Sequence, residues 1–102
     1  MDGKVFIVGI GPGNEKYILP KAVSVMEQSD IVVGFQRAVD SLKFISGEKM
    51  VVKKLSSIMD VIDLNGDKNI SIAASGDPLY YGITEYLKKN YRGNMEIVPG
   101  IS

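Results

Sequence analysis

The sequence contains neither cysteine nor histidine among its 102 residues. Without cysteine, the chain has no disulfide, no thiolate nucleophile and no thiolate metal ligand. Without histidine as well, a transition-metal site made of protein ligands alone is not expected, and a general base has to be a carboxylate, a lysine or a tyrosine. We therefore predict no metal site and no catalytic residue that acts through a histidine or a cysteine.

The sequence also lacks an excess of charge of either sign, because 12 lysines and arginines balance 12 aspartates and glutamates. A nucleic-acid-binding module should carry a basic excess or a basic patch, so nucleic acid is not an expected partner. No apolar run approaches the length of a membrane span, and Met1–Lys4 lacks the features of a secretory signal. These absences predict no membrane partner and make a cytoplasmic location the default expectation.

What the sequence does contain is ordinary for one globular domain. Hydrophobic residues make up 45% of the chain and charged residues 24%, which excludes a disordered chain. A length of 102 residues suffices for a single core and excludes a second domain within the same stretch.

Five short apolar runs alternate with four segments of helical periodicity. We predict strands over 4–9, 31–34, 50–52, 69–74 and 95–98, and helices from Pro20 to about Ser29, from Gln36 to before Gly47, from a cap at Ser56 or Ser57 to Asn65, and from Pro78 to about Asn90. Strands that alternate with helices through short loops form βαβ units with right-handed crossovers. The expected fold is therefore α/β, an open and mainly parallel five-stranded sheet with helices on both faces.

The loops that follow the strands are the candidate functional segments. In a parallel sheet these loops emerge at one edge, which places Gly9–Gly13, Gly34–Phe35, Ser75–Pro78 and Val98–Ser102 along a common rim. The segment Ser75–Gly82 follows a buried strand and opens a helix. Turns of this kind are where open α/β sheets bind small molecules.

The glycine loop Gly9–Gly13 does not fit a dinucleotide-binding fingerprint. Asn14 stands at the position of the third glycine, Pro12 removes a backbone donor, and no acidic residue ends the second strand. No Gly-Lys-Ser/Thr sequence follows the glycines, which excludes a P-loop. A tight turn without a ligand remains an alternative interpretation of this loop.

Three segments in chain order, Gly9–Gly13, Ser75–Gly82 and Val98–Ser102, together resemble the motifs of the tetrapyrrole methylase family. These are S-adenosylmethionine-dependent methyltransferases that act on porphyrin and corrin precursors. Within the family, Ala74–Ile83 and Val33–Arg37 are most similar to the precorrin-6Y methylase branch, whose members methylate C5 of cobalt-precorrin-7 in cobalamin biosynthesis. The resemblance implies S-adenosylmethionine as cofactor, a corrinoid or other tetrapyrrole as substrate, and a homodimer of the full-length protein.

Carried over by position, the resemblance also implies site residues. Those that would lie against the methyl donor are Pro12, Ser75, Gly76, Asp77, Tyr80 and Ser102. Those that would line the trough for the macrocycle are Gly9, Gly11 and Gly13, and Arg37 is a candidate partner for the substrate carboxylates. From spacing alone, Asp77 can instead cap the following helix, and Arg37 can be a solvated helix residue.

The resemblance is incomplete in two respects. Asn14–Pro20 replaces the Asp-Pro-Glu-Leu-Leu-Thr that the branch usually shows, so we expect a differently shaped entry to the first helix. Family members have two α/β domains with the cofactor between them, and residues 1–102 resemble the N-terminal domain. Two alternatives stay open: a methylase of this family for uroporphyrinogen III or a diphthine precursor, and a non-catalytic nucleotide-binding α/β domain.

Overall fold

The computed structural model describes residues 3–10, 20–75 and 77–98, and of residues 75 and 77–81 it describes the backbone. The elements in chain order are β1 (Val5–Ile10), α1 (Pro20–Gln28), β2 (Ile31–Gly34), α2 (Gln36–Asp40), β3 (Glu48–Val51), α3 (Leu55–Leu64), β4 (Ile70–Ser75), α4 (Asp77–Asn90) and β5 (Met95–Val98). No helix in this part of the chain has the length and apolarity that a membrane crossing requires.

The five strands form one parallel sheet in the order β3-β2-β4-β1-β5. Helices α1 and α2 pack on one face of the sheet, and α3 and α4 pack on the other. The predicted fold class is therefore confirmed, including helices on both faces. Because both faces are covered, the central strands β1, β2 and β4 are apolar almost throughout rather than alternating.

The core consists of two layers separated by the sheet. On the α3 and α4 face, Ile7 and Ile72 of the sheet pack with Ile58 and Leu87. The layer on the other face joins Val8 and Ala73 to helix residues such as Met26. Met26, on the apolar face of α1, is fully buried. The two layers fix the helices on the sheet and so fix where each loop leaves it.

Two local predictions are wrong. Helix α3 begins at Leu55 after Lys54, with no side-chain cap, so neither Ser56 nor Ser57 is its N-cap. Both serines lie inside the first turn. Strand β3 runs over Glu48–Val51 rather than 50–52, since an edge strand is held by its backbone pairing to β2 and needs no apolar start.

One ion pair ties the beginning of β1 to the edge strand β5. The Lys4 Nζ lies 2.8 Å from Glu96 Oε1 and 5.2 Å from the centre of the Phe6 ring. The hydrogen bond from Lys4, together with its charge, lowers the pKa of the Glu96 carboxyl. Because the folded pKa lies below the unfolded one, the stabilisation is present above the ordinary glutamate pKa and is lost as the pH falls through the folded pKa.

We expect Lys4→Met to raise the pKa of Glu96 toward its ordinary range, because the hydrogen-bond donor and the charge disappear together. NMR titration of the Glu96 carboxyl carbon between about pH 6 and pH 2 measures this shift. Lys88→Met removes another lysine of an ion pair, one whose Nζ lies 3.7 Å from the Glu85 Oε2, and it should leave the Glu96 titration unchanged. Identical Glu96 titrations in the Lys4→Met variant and the unmodified protein would contradict the assigned cause.

Candidate functional site

The carboxyl ends of the parallel strands meet at one edge of the sheet, and β1 and β4 reach farthest along it. Ile10 is paired with Ser75, whereas the last pair between β1 and β5 joins Val8 to Val98. Strand β1 therefore continues beyond the end of β5. The strand ends lie at one edge of the sheet. This confirms the prediction that the segments after the strands begin along a common rim.

The connections from β1 and β4 leave the sheet in opposite directions. The chain leaving β1 passes through α1 on one face to β2, and the chain leaving β4 passes through α4 on the other face to β5. Since β1 and β4 are neighbours, the sheet has its topological switch point between them. Open α/β sheets form a ligand-binding crevice at this place, outside the carboxyl ends of the two strands.

Side-chain volume falls toward this end of β4. The strand has the buried Ile70 and Ile72 in its first half and then continues with Ala73, Ala74 and a serine. Gly9 of β1 is paired with Ala74, whereas β1 ends with the buried Ile10. The low side-chain volume at the switch point is therefore that of Gly9 and of the second half of β4. Ala73 and Ala74 could not be singled out from the sequence, because their effect depends on which strand lies beside β4.

Gly34 ends β2 where α2 approaches the sheet. A Cβ atom at this position would lie 3.1 Å from the Ala73 carbonyl oxygen and 3.4 Å from the Ala38 Cβ. The absent side chain lets α2 pack close to the strand ends. Arg37 therefore lies on the helix that starts at this edge, where it is exposed and makes no ion pair with a described residue. Its contact with a substrate stays a prediction.

The structure brings several predicted site residues to the switch point. Gly9 is buried near the end of β1, Ser75 ends β4, Asp77 is the first residue of α4, and Tyr80 follows within the first turn. Five predicted residues lie outside the described ones: Gly11, Pro12, Gly13, Gly76 and Ser102. The side-chain roles of all these residues stay predictions. Within the described ranges, no cluster of three or more acidic residues is arranged to hold a metal ion.

The chain is similar in sequence to known proteins of one family. The profile of the tetrapyrrole (corrin/porphyrin) methylases matches residues 4–102. A probable cobalt-precorrin-7 C(5)-methyltransferase of Methanocaldococcus jannaschii is 33% identical to this chain over an alignment of 104 residues, gaps included. The alignment covers 96% of this chain and 49% of that protein. The chain thus spans about half, or less, of the length of the curated relatives that it matches.

Two solved structures share the fold. The precorrin-6Y methylase of Archaeoglobus fulgidus superimposes with a TM-score of 0.79 and 20% identity, over 98% of this chain and 54% of that one. The uroporphyrin-III C-methyltransferase of Thermus thermophilus, complexed with S-adenosyl homocysteine, superimposes with a TM-score of 0.75 and 22% identity. The match covers 98% of this chain and 46% of that one. With the family profile covering nearly every residue, the chain belongs to the tetrapyrrole (corrin/porphyrin) methylase family.

Proposed function

We propose that the chain is the N-terminal domain of an S-adenosylmethionine-dependent methyltransferase that methylates C5 of cobalt-precorrin-7 in cobalamin biosynthesis. The observation that carries the proposal is the topological switch point between β1 and β4, because two of the three segments that resemble the family motifs begin at the ends of these strands. The similarity to a probable cobalt-precorrin-7 C(5)-methyltransferase supports the choice of substrate.

The described residues fit a cofactor of this kind at the crevice. Gly9 of β1 and Ala73 and Ala74 of β4 contribute little side-chain volume there, and α4 begins there with Asp77. The backbone N–H groups in the first turn of a helix have no partner within the helix and can bind hydroxyl or carboxylate oxygens. We propose that Ser75, Gly76, Asp77 and Tyr80 bind the cofactor from this side and that Pro12 and Ser102 complete the contacts.

When bound, S-adenosylmethionine supplies an electrophilic methyl group on a sulfonium, whose carbon–sulfur bond breaks as the substrate carbon forms its new bond. The residues of this chain then have to hold donor and acceptor in line and exclude water. Aligning the donor with the acceptor and excluding water requires no histidine and no cysteine. The loop with Gly9, Gly11 and Gly13 is proposed to lie against the macrocycle, with Arg37 directed at its carboxylates.

The proposal includes a second domain that supplies the opposite wall of the cleft. The alignment to the Methanocaldococcus jannaschii relative supports this, because it covers 49% of that protein. We further propose a cytoplasmic homodimer as the working form of the whole protein. A methylase of the same family for uroporphyrinogen III or a diphthine precursor is the second candidate, and substrate assays separate the candidates.

We expect the intact protein to bind S-adenosylhomocysteine and not NAD, because the glycine loop lacks the dinucleotide fingerprint. Isothermal titration with each compound under the same buffer conditions measures both affinities. The isolated 102 residues should bind S-adenosylhomocysteine more weakly, since one wall of the cleft would be absent. Tight binding of NAD without binding of S-adenosylhomocysteine would refute the proposed function and favour a nucleotide-binding domain.

A further inference from the structure

A cavity of about 450 Å³ lies at the amino edge of the sheet, the edge opposite the crevice. Its floor is formed by the beginnings of β1 and β4, and its walls are the turns that follow α3 and α4. This volume is within the usual range for small-molecule sites. The length of β4 separates the cavity from the switch point by roughly 17 Å at the rise of a strand.

The walls of this amino-edge cavity are held in place before any ligand arrives. The Gly3 N–H donates to the Gly66 carbonyl at 2.9 Å, and a Cβ atom on Gly3 would lie 1.9 Å from the Lys68 carbonyl oxygen. On the other wall, a Cβ atom on Gly93 would lie 2.3 Å from the Tyr91 hydroxyl oxygen. The close backbone approach at Gly3 fixes the turn after α3, and the Val5 N–H, which donates to the Asn94 carbonyl at 3.0 Å, fixes the turn after α4. A ligand would therefore lose little free energy to ordering these turns.

Two cations border the amino-edge cavity, one from each turn. Arg92 and Lys68 are both exposed, and neither side chain forms an ion pair with a residue that the structure describes. Asp63 is the acidic residue of the described lining, so the cavity carries an excess of one positive charge. An arginine fork binds carboxylate and phosphate groups through two parallel hydrogen bonds, and a lysine adds a second positive charge.

The helix ends beside the amino-edge cavity offset these cations only in part. Helices α3 and α4 both end here, and free carbonyl groups at a helix end would repel an anion. Some of the end carbonyls have donors within the structure. The Asn65 Nδ2 donates to the Val61 carbonyl at 2.8 Å, and the Tyr91 N–H donates to the Leu87 carbonyl at 2.8 Å. The side chains of Arg92 and Lys68 carry full charges and hydrogen-bond donors, so they provide the anion-binding groups of the cavity.

We infer that the amino-edge cavity binds a small organic anion through a carboxylate or phosphate group held by Arg92 and Lys68. Asp63 lies beside the two cations and favours a ligand that also presents a hydroxyl or ammonium donor. A ligand in this cavity cannot be the molecule that is methylated, because the sheet separates it from the crevice. The inference is thus independent of the proposed function.

Titration of the ¹⁵N-labelled intact protein with citrate and, separately, with inorganic phosphate tests the inference. We expect saturable shifts of the Gly3, Gly66 and Gly93 amides, with a Kd on the order of 1 mM for so exposed a site. Saturation by citrate alone identifies carboxylate recognition, saturation by phosphate alone identifies phosphate recognition, and saturation by both shows that the site accepts either. Sodium chloride at matched ionic strength should give no saturable shift.

Three substitutions make the test specific. Arg92→Gln should weaken binding at least about tenfold, whereas Asp63→Asn should tighten it by removing a like charge. Lys53→Gln removes an exposed lysine near the opposite edge and should leave the Kd unchanged. The inference is overturned if neither probe gives saturable shifts at these amides, or if Arg92→Gln binds as the unmodified protein does while its amide spectrum remains native.

Discussion

Asp77→Ala in the intact protein should weaken binding of S-adenosylhomocysteine about 10- to 100-fold. The estimate follows from the loss of a hydrogen bond to a charged group, about 1.5–3 kcal/mol. Asp77 is the first residue of α4, two positions after Ser75 at the end of β4. Isothermal titration measures the affinity, and Asp60→Ala on the exposed side of α3 is the matched control.

A second substitution separates ligand binding from helix capping. Asparagine caps a helix about as well as aspartate does, but it carries no charge. If the carboxylate binds the cofactor, Asp77→Asn should lose affinity as Asp77→Ala does and change the stability by only a few tenths of a kcal/mol. If Asp77→Asn binds normally and Asp77→Ala only lowers the stability, the residue is a cap and its assignment to the site is wrong.

Ile72→Ala should lower the free energy of unfolding by about 2–5 kcal/mol. Ile72 is fully buried in β4, between β2 and β1, where little can collapse into the space that the side chain leaves. Such a loss is a large part of the roughly 5–15 kcal/mol that stabilises a typical domain. Urea unfolding measures it as a shift of the midpoint at an unchanged slope.

Ile97→Ala is the matched control for this effect. Ile97 is also an isoleucine of the sheet, but it lies on the edge strand β5 and is 41% exposed. Its removal should cost about 1 kcal/mol or less, because a partly exposed side chain leaves no closed cavity. Equal losses in the free energy of unfolding from the two substitutions would contradict the conclusion that the core is centred on the central strands.

The alternation of strands and helices could be predicted from the sequence because each buried strand is a short run of β-branched and other apolar residues. The strand order could not be, since apolar periodicity does not say which strands become neighbours. The N-cap of α3 was missed because its helix starts without any side-chain cap, so Ser56 and Ser57 gave a false signal. Pairing of Lys4 with Glu96, 92 positions apart, had no local signature at all.

The candidate site could be predicted to the level of its segments. The ordered motifs and the parallel sheet sufficed to place the ends of β1, β4 and β5 at one edge, and the structure confirms that placement. The fall in side-chain volume at Ala73 and Ala74 affects the site only through the strand that lies beside β4. Its role could therefore be recognised only once the register of β4 with β1 was known. The individual cofactor contacts rest on resemblance by position and stay predictions for the experiments above.

The pairing of β1 with β4 also determines when the crevice can form during synthesis. Lys4 and Asn69, which join the beginnings of these strands, are 65 positions apart in the chain. At about 5–20 residues per second, β1 waits several seconds for its partner to leave the ribosome. Throughout that interval Val5–Ile10 is an unpaired segment with apolar side chains on both faces, which is the kind of segment that aggregates. The register that places β1 beside β4 therefore leaves β1 in need of protection before folding.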